Sequence, residues 1–475
     1  MPLKILLINP PYASARGYNR EGRCTHESTI WSTAWPPYSL ASMAAILRRK
    51  CRVEILDCPA QNISALDLQD TIERGKPDIL IAATSTQTID ADLKLLNSIK
   101  DRNHVRIVIF GVHATVFAEN ILEKNAVDFV IRNEPEQTAE ELVLLLEEGQ
   151  SNFKDIKGLA FKTKDGQARI TEPRPFIEDL DTLPLPAWDL VDLSPYKLPS
   201  SGRNYIIVNT LRGCPFHCSF CTTQVYYGQK ARVRSAASLL EEIKICRDRY
   251  NIKDIFFWGD TFTLNKKQIK GLCHGIVEQK IDIRWVANSR VDTIDEEILG
   301  QMKESGCWLL SCGIESGDNT VLANCKKNIT VETIEKSVAQ IKSSGLKIAG
   351  HFILGLPGET EETVLRTIRL AKRLNLDFYA FYSAAPYPGS PLYTEACSQG
   401  WLTGKNWSDF SQSGFVMDLP TISRERLLEL RRKAYSSVYL RPRSLRTALS
   451  LFTVNSFISG TVSAIKYLTR IRKNT

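Results

Sequence analysis

Residues 211–221 read LRGCPFHCSFC and place three cysteines, Cys214, Cys218 and Cys221, in eight consecutive positions. The stretch directly follows an apolar run, Tyr205–Asn209, whose length and composition predict a strand. Three thiolates this close converge only if the chain wraps around one object, and thiolates are preferred ligands of iron–sulfur clusters and zinc. Because a 4Fe–4S cluster has four irons, three cysteines leave one iron open, which is what a substrate-binding cluster needs.

Zinc and simple burial are the two ordinary alternatives for these cysteines. A zinc site would need a fourth ligand at a recognisable spacing. His217 lies inside the loop, but a Cys₃His site made from residues this close together would be strained. Burial alone does not account for three cysteines in a loop that also carries Gly213 and Pro215.

The spacing Cys-x₃-Cys-x₂-Cys after the first strand of a βα series resembles the signature of the radical S-adenosylmethionine (SAM) superfamily. The resemblance implies that Cys214, Cys218 and Cys221 hold a 4Fe–4S cluster. It also implies that SAM chelates the open iron through its amino and carboxylate groups. An electron from a reductase of the flavodoxin or ferredoxin type then leads to SAM cleavage, and the resulting 5′-deoxyadenosyl radical abstracts hydrogen from a substrate.

Further motifs lie at the carboxyl ends of predicted strands, where barrel active sites form. Asp260 can accept a hydrogen bond from an ammonium group, and the Arg290 guanidinium matches the fork of a carboxylate. Each motif taken alone could also be an ordinary turn or helix cap. The inference of a SAM site depends on the fact that all of them fall at the carboxyl ends of predicted strands. The resemblance implies SAM contacts for Phe220, Gly259, Asp260, Asn288, Arg290, Glu315 and Leu354.

Residues 203–400 alternate apolar runs with amphipathic segments, which favours an open or partial (β/α)₆ barrel. His351 lies on the fifth predicted strand and is either a proton donor or a satisfied interior histidine. The predicted strands are Tyr205–Asn209, Asp254–Trp258, Arg284–Ala287, Trp308–Cys312, Ile348–Leu354 and Phe378–Ser383.

Residues 1–150 show a similar alternation and predict an α/β, doubly wound, Rossmann-like domain with any ligand at the carboxyl ends of its strands. The predicted strands are Lys4–Asn9, Val53–Asp57, Asp78–Ala82, Arg106–Phe110 and Asp128–Ile131. The predicted helices are Leu40–Arg49, Ser64–Arg74, Ile89–Lys100 and Glu136–Glu148.

The loops of this first domain resemble the cobalamin-binding-like domain that precedes the barrel in one large radical SAM branch. That branch includes the anaerobic cyclase of chlorophyll-type pigments and tailoring enzymes of hopanoids and other lipids. One departure is that the loop after the second strand, Asp57–Asn62, lacks the cobalt-ligating histidine of the classical motif Asp-x-His-x-x-Gly. The resemblance implies cobalamin contacts for Ser85, Gly111, His113 and Glu134.

Two regions differ from these α/β series. Residues 151–202 are rich in proline, which predicts a connector on the surface with little sheet pairing. Residues 401–475 are predicted to be a helical carboxyl-terminal region, with a charged helix at Arg424–Tyr439. The stretch Thr447–Ile465 has no charge and has basic flanks, so it is either an interfacial helix on anionic lipid or a helix packed on the barrel.

Composition limits the remaining function classes. The chain has 475 residues and a net charge of +8, which favours two or three domains and does not indicate nucleic-acid binding. The start has no secretory signal, and the twelve cysteines are too scattered for a disulfide scaffold. We therefore expect a cytoplasmic protein, with membrane contact only through the carboxyl-terminal tail.

Cobalamin-dependent C-methylation of a hydrophobic substrate, either a lipid or isoprenoid or a tetrapyrrole-like molecule, is the leading functional hypothesis. It requires the barrel mouth and the cobalamin face to meet. The first alternative is a radical SAM oxidoreductase or cyclase that forms C–C or C–O bonds without methyl transfer. A methylthiotransferase is disfavoured because the other nine cysteines form no second tight group. A non-catalytic iron–sulfur binding module would be eliminated by reductive cleavage of SAM.

Overall fold

The computed structural model describes residues 2–12, 19–21, 34–198 and 201–441. These residues form two mostly parallel sheets, one in each half of the chain. The α/β class, the doubly wound first domain and the six-stranded partial barrel are therefore confirmed. The stretch Thr447–Ile465 and its predicted membrane contact lie outside the described residues.

The first sheet has the strand order β2-β1-β3-β4-β5-β6-β7, with β1 to β5 parallel and the last two strands antiparallel. Its parallel part agrees with the five predicted strands to within a residue at each end. The strands are β1 (Lys4–Asn9), β2 (Arg52–Asp57), β3 (Ile79–Ala83), β4 (Arg106–Phe110), β5 (Phe129–Ile131), β6 (Leu159–Lys162) and β7 (Ala168–Ile170).

This sheet is buried on both faces, because alternate side chains of its strands enter two separate hydrophobic cores. In β1, Leu7 packs into one core, whereas Leu6 and Ile8 pack into the other. This division is typical of a doubly wound sheet with helices on both sides. The helices are α1 (Tyr38–Leu47), α2 (Cys58–Gln61), α3 (Ala65–Gly75), α4 (Ile89–Arg102), α5 (Val112–Val116), α6 (Ala118–Lys124) and α7 (Pro135–Glu147).

The segment 151–202 differs from the predicted connector. Its residues 159–170 supply β6 and β7, which extend the first sheet by antiparallel pairing. Trp188 and Tyr196 are buried in the core that contains the second sheet. The prediction of a surface connector without sheet pairing is therefore wrong for these parts, because the prolines lie outside the two strands.

The second sheet has the order β14-β13-β12-β11-β10-β8-β9, and all of its strands except the short β9 are parallel. The six parallel strands are those predicted, but most run further toward their carboxyl ends. The strands are β8 (Tyr205–Arg212), β9 (Arg232–Val233), β10 (Asp254–Gly259), β11 (Arg284–Arg290), β12 (Cys307–Glu315), β13 (Lys347–Leu354) and β14 (Phe378–Ser383).

Helices pack against one face of this second sheet, and the side chains of its other face are less buried in the central strands. Phe257, Leu310 and Phe352 lie in the main hydrophobic core on the helix side. The alternate positions of the central strands are half-buried, as in β13, where Ala349 and His351 are partly exposed. The less buried face is therefore the inner face of the partial barrel.

Helices of the second half cover the outer face and one edge. The helix Arg424–Tyr439 covers the edge strand β14 and satisfies two of its backbone N–H groups. The Tyr439 hydroxyl accepts from the Tyr379 N–H at 3.0 Å, and the Tyr435 hydroxyl accepts from the Phe381 N–H at 3.1 Å. The helices are α8 (Thr223–Tyr226), α9 (Ala236–Tyr250), α10 (Lys266–Glu278), α11 (Glu296–Glu304), α12 (Asn319–Asn324), α13 (Val331–Ser343), α14 (Glu361–Leu374), α15 (Pro391–Ser398) and α16 (Arg424–Tyr439).

Within the described part of the chain, no helix combines the length and the apolar character needed to cross a lipid bilayer.

Candidate active site

The cysteine loop begins where β8 ends and is held by the neighbouring strand. Gly213 has a φ of 86°, and a Cβ at this position would stand 2.2 Å from the Lys230 carbonyl oxygen. The Gly213 N–H donates to the Asp260 carboxylate at 2.7 Å. Only glycine fits this conformation without strain, so the sharp turn into Cys214 depends on it.

Polar groups surround the three cysteine sulfurs. The Thr223 hydroxyl lies 3.1 Å from the Cys221 sulfur, and the Thr261 hydroxyl lies 3.7 Å from the Cys214 sulfur. Cys214 is buried, whereas Cys218 and Cys221 are half-buried. Hydroxyl and N–H donors around sulfur suit thiolates that bind a cluster, because such hydrogen bonds tune its potential.

The arrangement fits a cluster better than a zinc ion. Among the described residues, no three His, Cys, Asp or Glu side chains converge on one ion. Each cysteine of a cubane binds its own iron, so its ligands do not need to converge on a single point. His217, the one fourth ligand considered for zinc, is instead hydrogen-bonded to Gln224.

Arg290 braces the cysteine loop. Its guanidinium donates to both carboxylate oxygens of Asp292, at 2.9 and 2.8 Å, and stands 3.6 Å from the Cys218 sulfur. It also lies 3.7 Å above the centre of the Phe216 ring. The guanidinium fork predicted to bind the SAM carboxylate is therefore already occupied by Asp292. The contacts of Arg290 favour a role in positioning the cysteine loop and in placing positive charge beside it.

A buried lysine near Cys218 was missed by the sequence analysis. Lys327 is 4% exposed and pairs with Glu315 at 2.8 Å, while its carbonyl accepts from Arg290 at 2.8 Å. The neighbours of Lys327 in the chain, Lys326 and Asn328, both have a φ of 54°. Burial raises the pKa of the Cys218 thiol, but the Lys327 cation acts against this rise. A Lys-Lys-Asn run is typical of an exposed turn, so its sequence gave no signal of this role.

Glu315 itself lies at the end of β12 with a φ of 64°, which is rare for a residue with a side chain. Backbone strain of this kind concentrates at functional sites. The pairing with Lys327 brings the predicted SAM residue Glu315 next to the cysteine loop. Its contact with SAM stays a prediction.

Gly259, Asp260 and Asn288 are brought together at the ends of β10 and β11. The Asn288 side chain donates to the Gly259 carbonyl at 2.6 Å. Asp260 is 8% exposed and accepts from the loop backbone at Gly213 and from Thr223. Asp260 therefore supports the cysteine loop, and its predicted acceptance from the SAM ammonium would use the same carboxylate.

Two predicted SAM residues, Phe220 and Leu354, have apolar surroundings. Phe220 is half-buried and packs against an apolar cluster that includes Cys325 and Leu356. Leu354 is fully buried in the main core, and its carbonyl accepts from Ala384 at 2.7 Å. The structure thus leaves Phe220 available to an adenine ring, whereas Leu354 has neither side chain nor carbonyl directed to a ligand.

The predicted cobalamin residues Ser85 and Gly111 lie in adjacent loops at the carboxyl end of the first sheet. The Ser85 hydroxyl is 2.9 Å from the Thr88 hydroxyl. Gly111 has a φ of 133°, and a Cβ there would stand 2.3 Å from the Thr84 carbonyl oxygen. The two loops therefore pack in direct contact, and residues 84–88 are all buried although all are polar.

His113 lies at the same edge and packs between aromatic rings. Its ring is 5.0 Å from Phe117 and 4.7 Å from Trp407, measured between ring centres. Burial lowers the pKa of His113 to about 3, so the imidazole is neutral at physiological pH. Packing accounts for the ring, but it leaves the nitrogen Nδ1 without a hydrogen-bond partner among the described residues.

The carboxyl end of the first sheet fits a ligand rich in amide groups. Three buried polar atoms there have no partner among the described residues: Asn9 Oδ1, Gln61 Oε1 and His113 Nδ1. Asn9 is the last residue of β1, and Gln61 and His113 follow β2 and β4, so the three atoms share the edge where doubly wound sheets bind ligands. Buried polar atoms without partners are costly, and the side-chain amides of cobalamin could satisfy them.

Glu134 is engaged by the protein instead. Its carboxylate accepts from the Ile177 N–H at 2.8 Å, from Arg232 at 2.8 Å and from Arg212 at 3.3 Å. The side chain is 4% exposed. Both carboxylate oxygens therefore serve an ion-pair network between the two domains, and the contacts do not support the predicted cobalamin role.

The carboxyl ends of both sheets meet at one interface. Gln87, in the loop after β3, donates to the Tyr387 hydroxyl at 2.9 Å, and Tyr387 follows β14. Asn133, after β5, donates to the Val225 carbonyl in α8, just beyond Cys221. The two domains thus pack face to face, as the methyl-transfer hypothesis requires.

Two family models match the chain. A model of the radical SAM superfamily matches residues 208–371, which begin in β8 and include the cysteine loop. A model of the B12 binding domain matches residues 32–143, which contain the loops with Ser85, Gly111 and His113.

Curated relatives and a solved structure extend this likeness. An uncharacterized methyltransferase of Pyrococcus horikoshii, PH0819, is 37% identical over 93% of this chain and 94% of its own. The anaerobic magnesium-protoporphyrin IX monomethyl ester cyclase of Rubrivivax gelatinosus is 26% identical over 83% of this chain and 70% of its own. The radical SAM methyltransferase TsrM of Kitasatospora setae, solved with cobalamin and a 4Fe–4S cluster, aligns with a TM-score of 0.71 at 17% identity. That alignment covers 93% of this chain and 90% of TsrM and shows that the fold is shared.

Proposed function

The chain belongs to the radical SAM superfamily, in the branch with a B12-binding domain ahead of the barrel, and we propose that it methylates an unactivated carbon of a hydrophobic small molecule. The cofactors of this branch are a 4Fe–4S cluster, SAM and cobalamin. The Pyrococcus relative is named a methyltransferase, and extending that activity to this chain is part of the proposal.

The meeting of the two carboxyl edges is the observation that carries the proposal. The cysteine loop and the loops after β3, β4 and β5 contact the same interface, through Gln87, Val116 and Asn133 on one side. A Cβ at Gly389 would stand 3.0 Å from both Val116 and Val225, so the loops are in close contact. A radical made at one edge and a methyl group held at the other can therefore reach one substrate.

When bound, the cluster and SAM supply a carbon radical that abstracts hydrogen, and cobalamin supplies the methyl group. The chain itself holds the cluster through Cys214, Cys218 and Cys221. Arg290 and Lys327 place positive charge beside Cys218, which favours its thiolate. Asp260 fixes the start of the loop through the Gly213 N–H.

Burial of this interface also excludes water from the reacting groups. Arg212, Glu134 and Glu136 close it with ion pairs in which each side chain is at most 3% exposed. Water would quench a substrate radical only slowly but would compete for charged and polar groups in the site. The residues that close the interface are therefore part of the proposed machinery.

Bond formation without methyl transfer is the second candidate function. It is favoured by the likeness to the Rubrivivax cyclase, which extends over both domains of this chain. An oxidoreductase or cyclase would use the same cysteine loop and the same radical. It would make 5′-deoxyadenosine without S-adenosylhomocysteine, whereas methyl transfer makes both.

The partners of the reaction follow from its chemistry. Reduction of the cluster needs a one-electron donor, and we infer a reductase of the flavodoxin or ferredoxin type. Leu309 and Ile353, which are half-buried at alternate positions of β12 and β13, support a hydrophobic substrate, either a lipid or isoprenoid or a tetrapyrrole-like molecule. Contact with a membrane surface through the basic tail belongs to residues beyond the described part of the chain.

Cobalamin content tests the proposal. The protein would be expressed with cobalamin supplied, purified without oxygen, and extracted for mass spectrometry. We expect close to one cobalamin per chain together with an intact cluster. An intact cluster without cobalamin would contradict methyl transfer and would make bond formation the leading function.

A further inference from the structure

The Arg290 guanidinium is held in one position by three groups. Its Nε and Nη2 donate to the two carboxylate oxygens of Asp292, at 2.9 and 2.8 Å, and Nη2 also donates to the Lys327 carbonyl at 2.8 Å. The Phe216 ring of the cysteine loop lies against its flat face, with 3.7 Å between the guanidinium carbon and the ring centre. The remaining nitrogen, Nη1, is directed at the Cys218 sulfur at 3.6 Å. Because the guanidinium is planar and rigid, these contacts also fix the N–H that faces the sulfur.

Burial and pairing make Arg290 a permanent cation beside the loop. The residue is 5% exposed. Burial opposes the charge, but Asp292 and the thiolates of Cys218 and Cys214 outweigh it and raise the pKa of Arg290 above its ordinary value. The fixed N–H donor therefore carries a full positive charge to a sulfur that is predicted to bind iron.

Asp292 balances the charge of Arg290, but it pairs with the other edge of the guanidinium. Cys218 contacts Nη1, whereas Asp292 contacts Nε and Nη2. Burial raises the pKa of the Cys218 thiol, and the cations of Lys327 and Arg290 both act against this rise. The surroundings of this sulfur therefore favour negative charge on it.

The reduction potential of an iron–sulfur cluster depends on its net charge and on hydrogen bonds to its sulfurs. Reduction adds one electron, and a fixed cation with an N–H donor stabilises the added negative charge. We propose that Arg290 raises the reduction potential of the cluster through Cys218, so that a reductase of the flavodoxin or ferredoxin class can supply the electron. The inference rests on the proposed function, since it requires a cluster at the cysteine loop. Arg290 acts through a cluster ligand, so it is a positioning residue and not a catalytic one.

A purely structural role for Arg290 leads to a different expectation. It would hold the loop through Phe216 and Lys327, and its loss would lower the cluster content whatever reductant is used. A role in setting the potential leaves a cluster that is bound but harder to reduce. The potential of protein that has its cluster therefore separates the two roles.

Arg290→Gln tests the proposal, because it removes the charge and the planar fork but keeps a polar side chain. The midpoint potential of the reconstituted cluster is measured without SAM, by electron paramagnetic resonance during an anaerobic redox titration. We expect the ratio of reduced to oxidised cluster at a given solution potential to fall about tenfold, which is a shift of about 59 mV for one electron. SAM cleavage should be slow with a flavodoxin-type donor and should recover with titanium(III) citrate, a stronger reductant.

Two further variants complete the test. Arg290→Lys keeps the charge without the fork, so it should shift the potential less than Arg290→Gln, and it supplies the measurement if the Gln variant loses its cluster. Arg284→Gln is the matched control, because Arg284 begins the same strand β11 and also stacks on a ring, that of Trp308 at 5.3 Å. The control should have the wild-type potential.

The proposal is overturned if Arg290 variants with a cluster keep the wild-type potential, or if Arg284→Gln shifts it equally. Loss of the cluster in both Arg290 variants would also overturn it, because the role of Arg290 would then be structural. Weaker SAM binding with an unchanged potential would favour the SAM contact predicted from the sequence. Formation of S-adenosylhomocysteine reports separately on methyl transfer, and a wild type without any cluster would refute the cysteine assignment itself.

Discussion

The Arg212 guanidinium donates to both oxygens of the Glu136 carboxylate, at 2.5 and 3.1 Å, in a buried ion pair that joins the two domains. Arg212 directly precedes the cysteine loop, and Glu136 lies in the first turn of α7 in the amino-terminal domain. Burial opposes the charge on Glu136, but the Arg212 cation outweighs it and holds the pKa of the carboxyl below its usual value. The pair therefore links the position of the cluster loop to the docking of the cobalamin-binding domain.

Replacing Glu136 with Gln should destabilise this interface. Arg212 would keep a buried charge whose remaining carboxylate partner is Glu134 at 3.3 Å, and breaking a buried pair in this way costs about 3–5 kcal/mol. We expect a lower denaturation midpoint and a loss of bound cobalamin, measured by chemical unfolding and by extraction. Glu178→Gln breaks an exposed pair with Lys230 and should leave the denaturation midpoint nearly unchanged, because exposed ion pairs contribute little to stability. Equal effects of the two variants would contradict this account.

Lys327 should be needed for the cluster site although no cofactor motif includes it. Lys327→Gln removes the cation beside Cys218 and leaves Glu315 without its partner. We expect at least a tenfold lower rate of 5′-deoxyadenosine formation, together with reduced iron content, while circular dichroism shows a folded protein. Lys326→Gln changes the exposed neighbour and should behave as wild type. A Lys327 variant with normal iron and normal SAM cleavage would show that the cation is dispensable.

Glu359 should make the protein less stable as the pH rises. Burial raises the pKa of this carboxyl from 4.5 to about 8, although backbone N–H groups of Gly355 and Leu356 act against the rise. The folded state therefore keeps a proton that the unfolded chain has lost, and stability falls between pH 4.5 and 8. The slope from this group is at most about 1.4 kcal/mol per pH unit. Glu359→Gln should flatten the pH dependence of unfolding in that window, whereas Glu362→Gln on the exposed side of α14 should not. An unchanged slope in Glu359→Gln would rule out a buried proton.

The three loop cysteines should account for all of the bound iron. The triple variant Cys214→Ala, Cys218→Ala and Cys221→Ala should contain no iron and should form no 5′-deoxyadenosine, as measured by iron analysis and chromatography. Cys397→Ala removes an exposed cysteine that is not part of the loop, and this variant should retain both the iron and the activity. Retention of a full cluster in the triple variant would refute the assignment of the ligands.

Local pattern was sufficient to predict most strands of both sheets. The apolar run Lys4–Asn9 matches the structure at both ends, because parallel strands buried on both faces have a strong hydrophobic signal. The run Phe378–Ser383 in the second sheet also matches at both ends. The segment 151–202 was harder to interpret, since its prolines hid the short strands β6 and β7. Those strands are held by pairing with a distant strand, which local composition does not record.

The parts of the site that belong to a sequence motif were predictable, and the parts formed by ion pairs between distant segments were not. The cysteine spacing located the loop, and Asp260, Asn288 and Glu315 do lie around it. Sequence could not show that Arg290 is engaged by Asp292 or that Glu134 is engaged by arginines. Nor could it show that Lys327 is buried, because each of these contacts joins segments that meet only in the fold.

The products made from SAM test the central claim most directly. The purified holoenzyme would be reduced without oxygen and given SAM with a labelled methyl group, and 5′-deoxyadenosine and S-adenosylhomocysteine would be measured by mass spectrometry. The account predicts both products from the wild type, and S-adenosylhomocysteine formation that depends on bound cobalamin. 5′-Deoxyadenosine without any S-adenosylhomocysteine, from protein with cobalamin bound, would contradict methyl transfer.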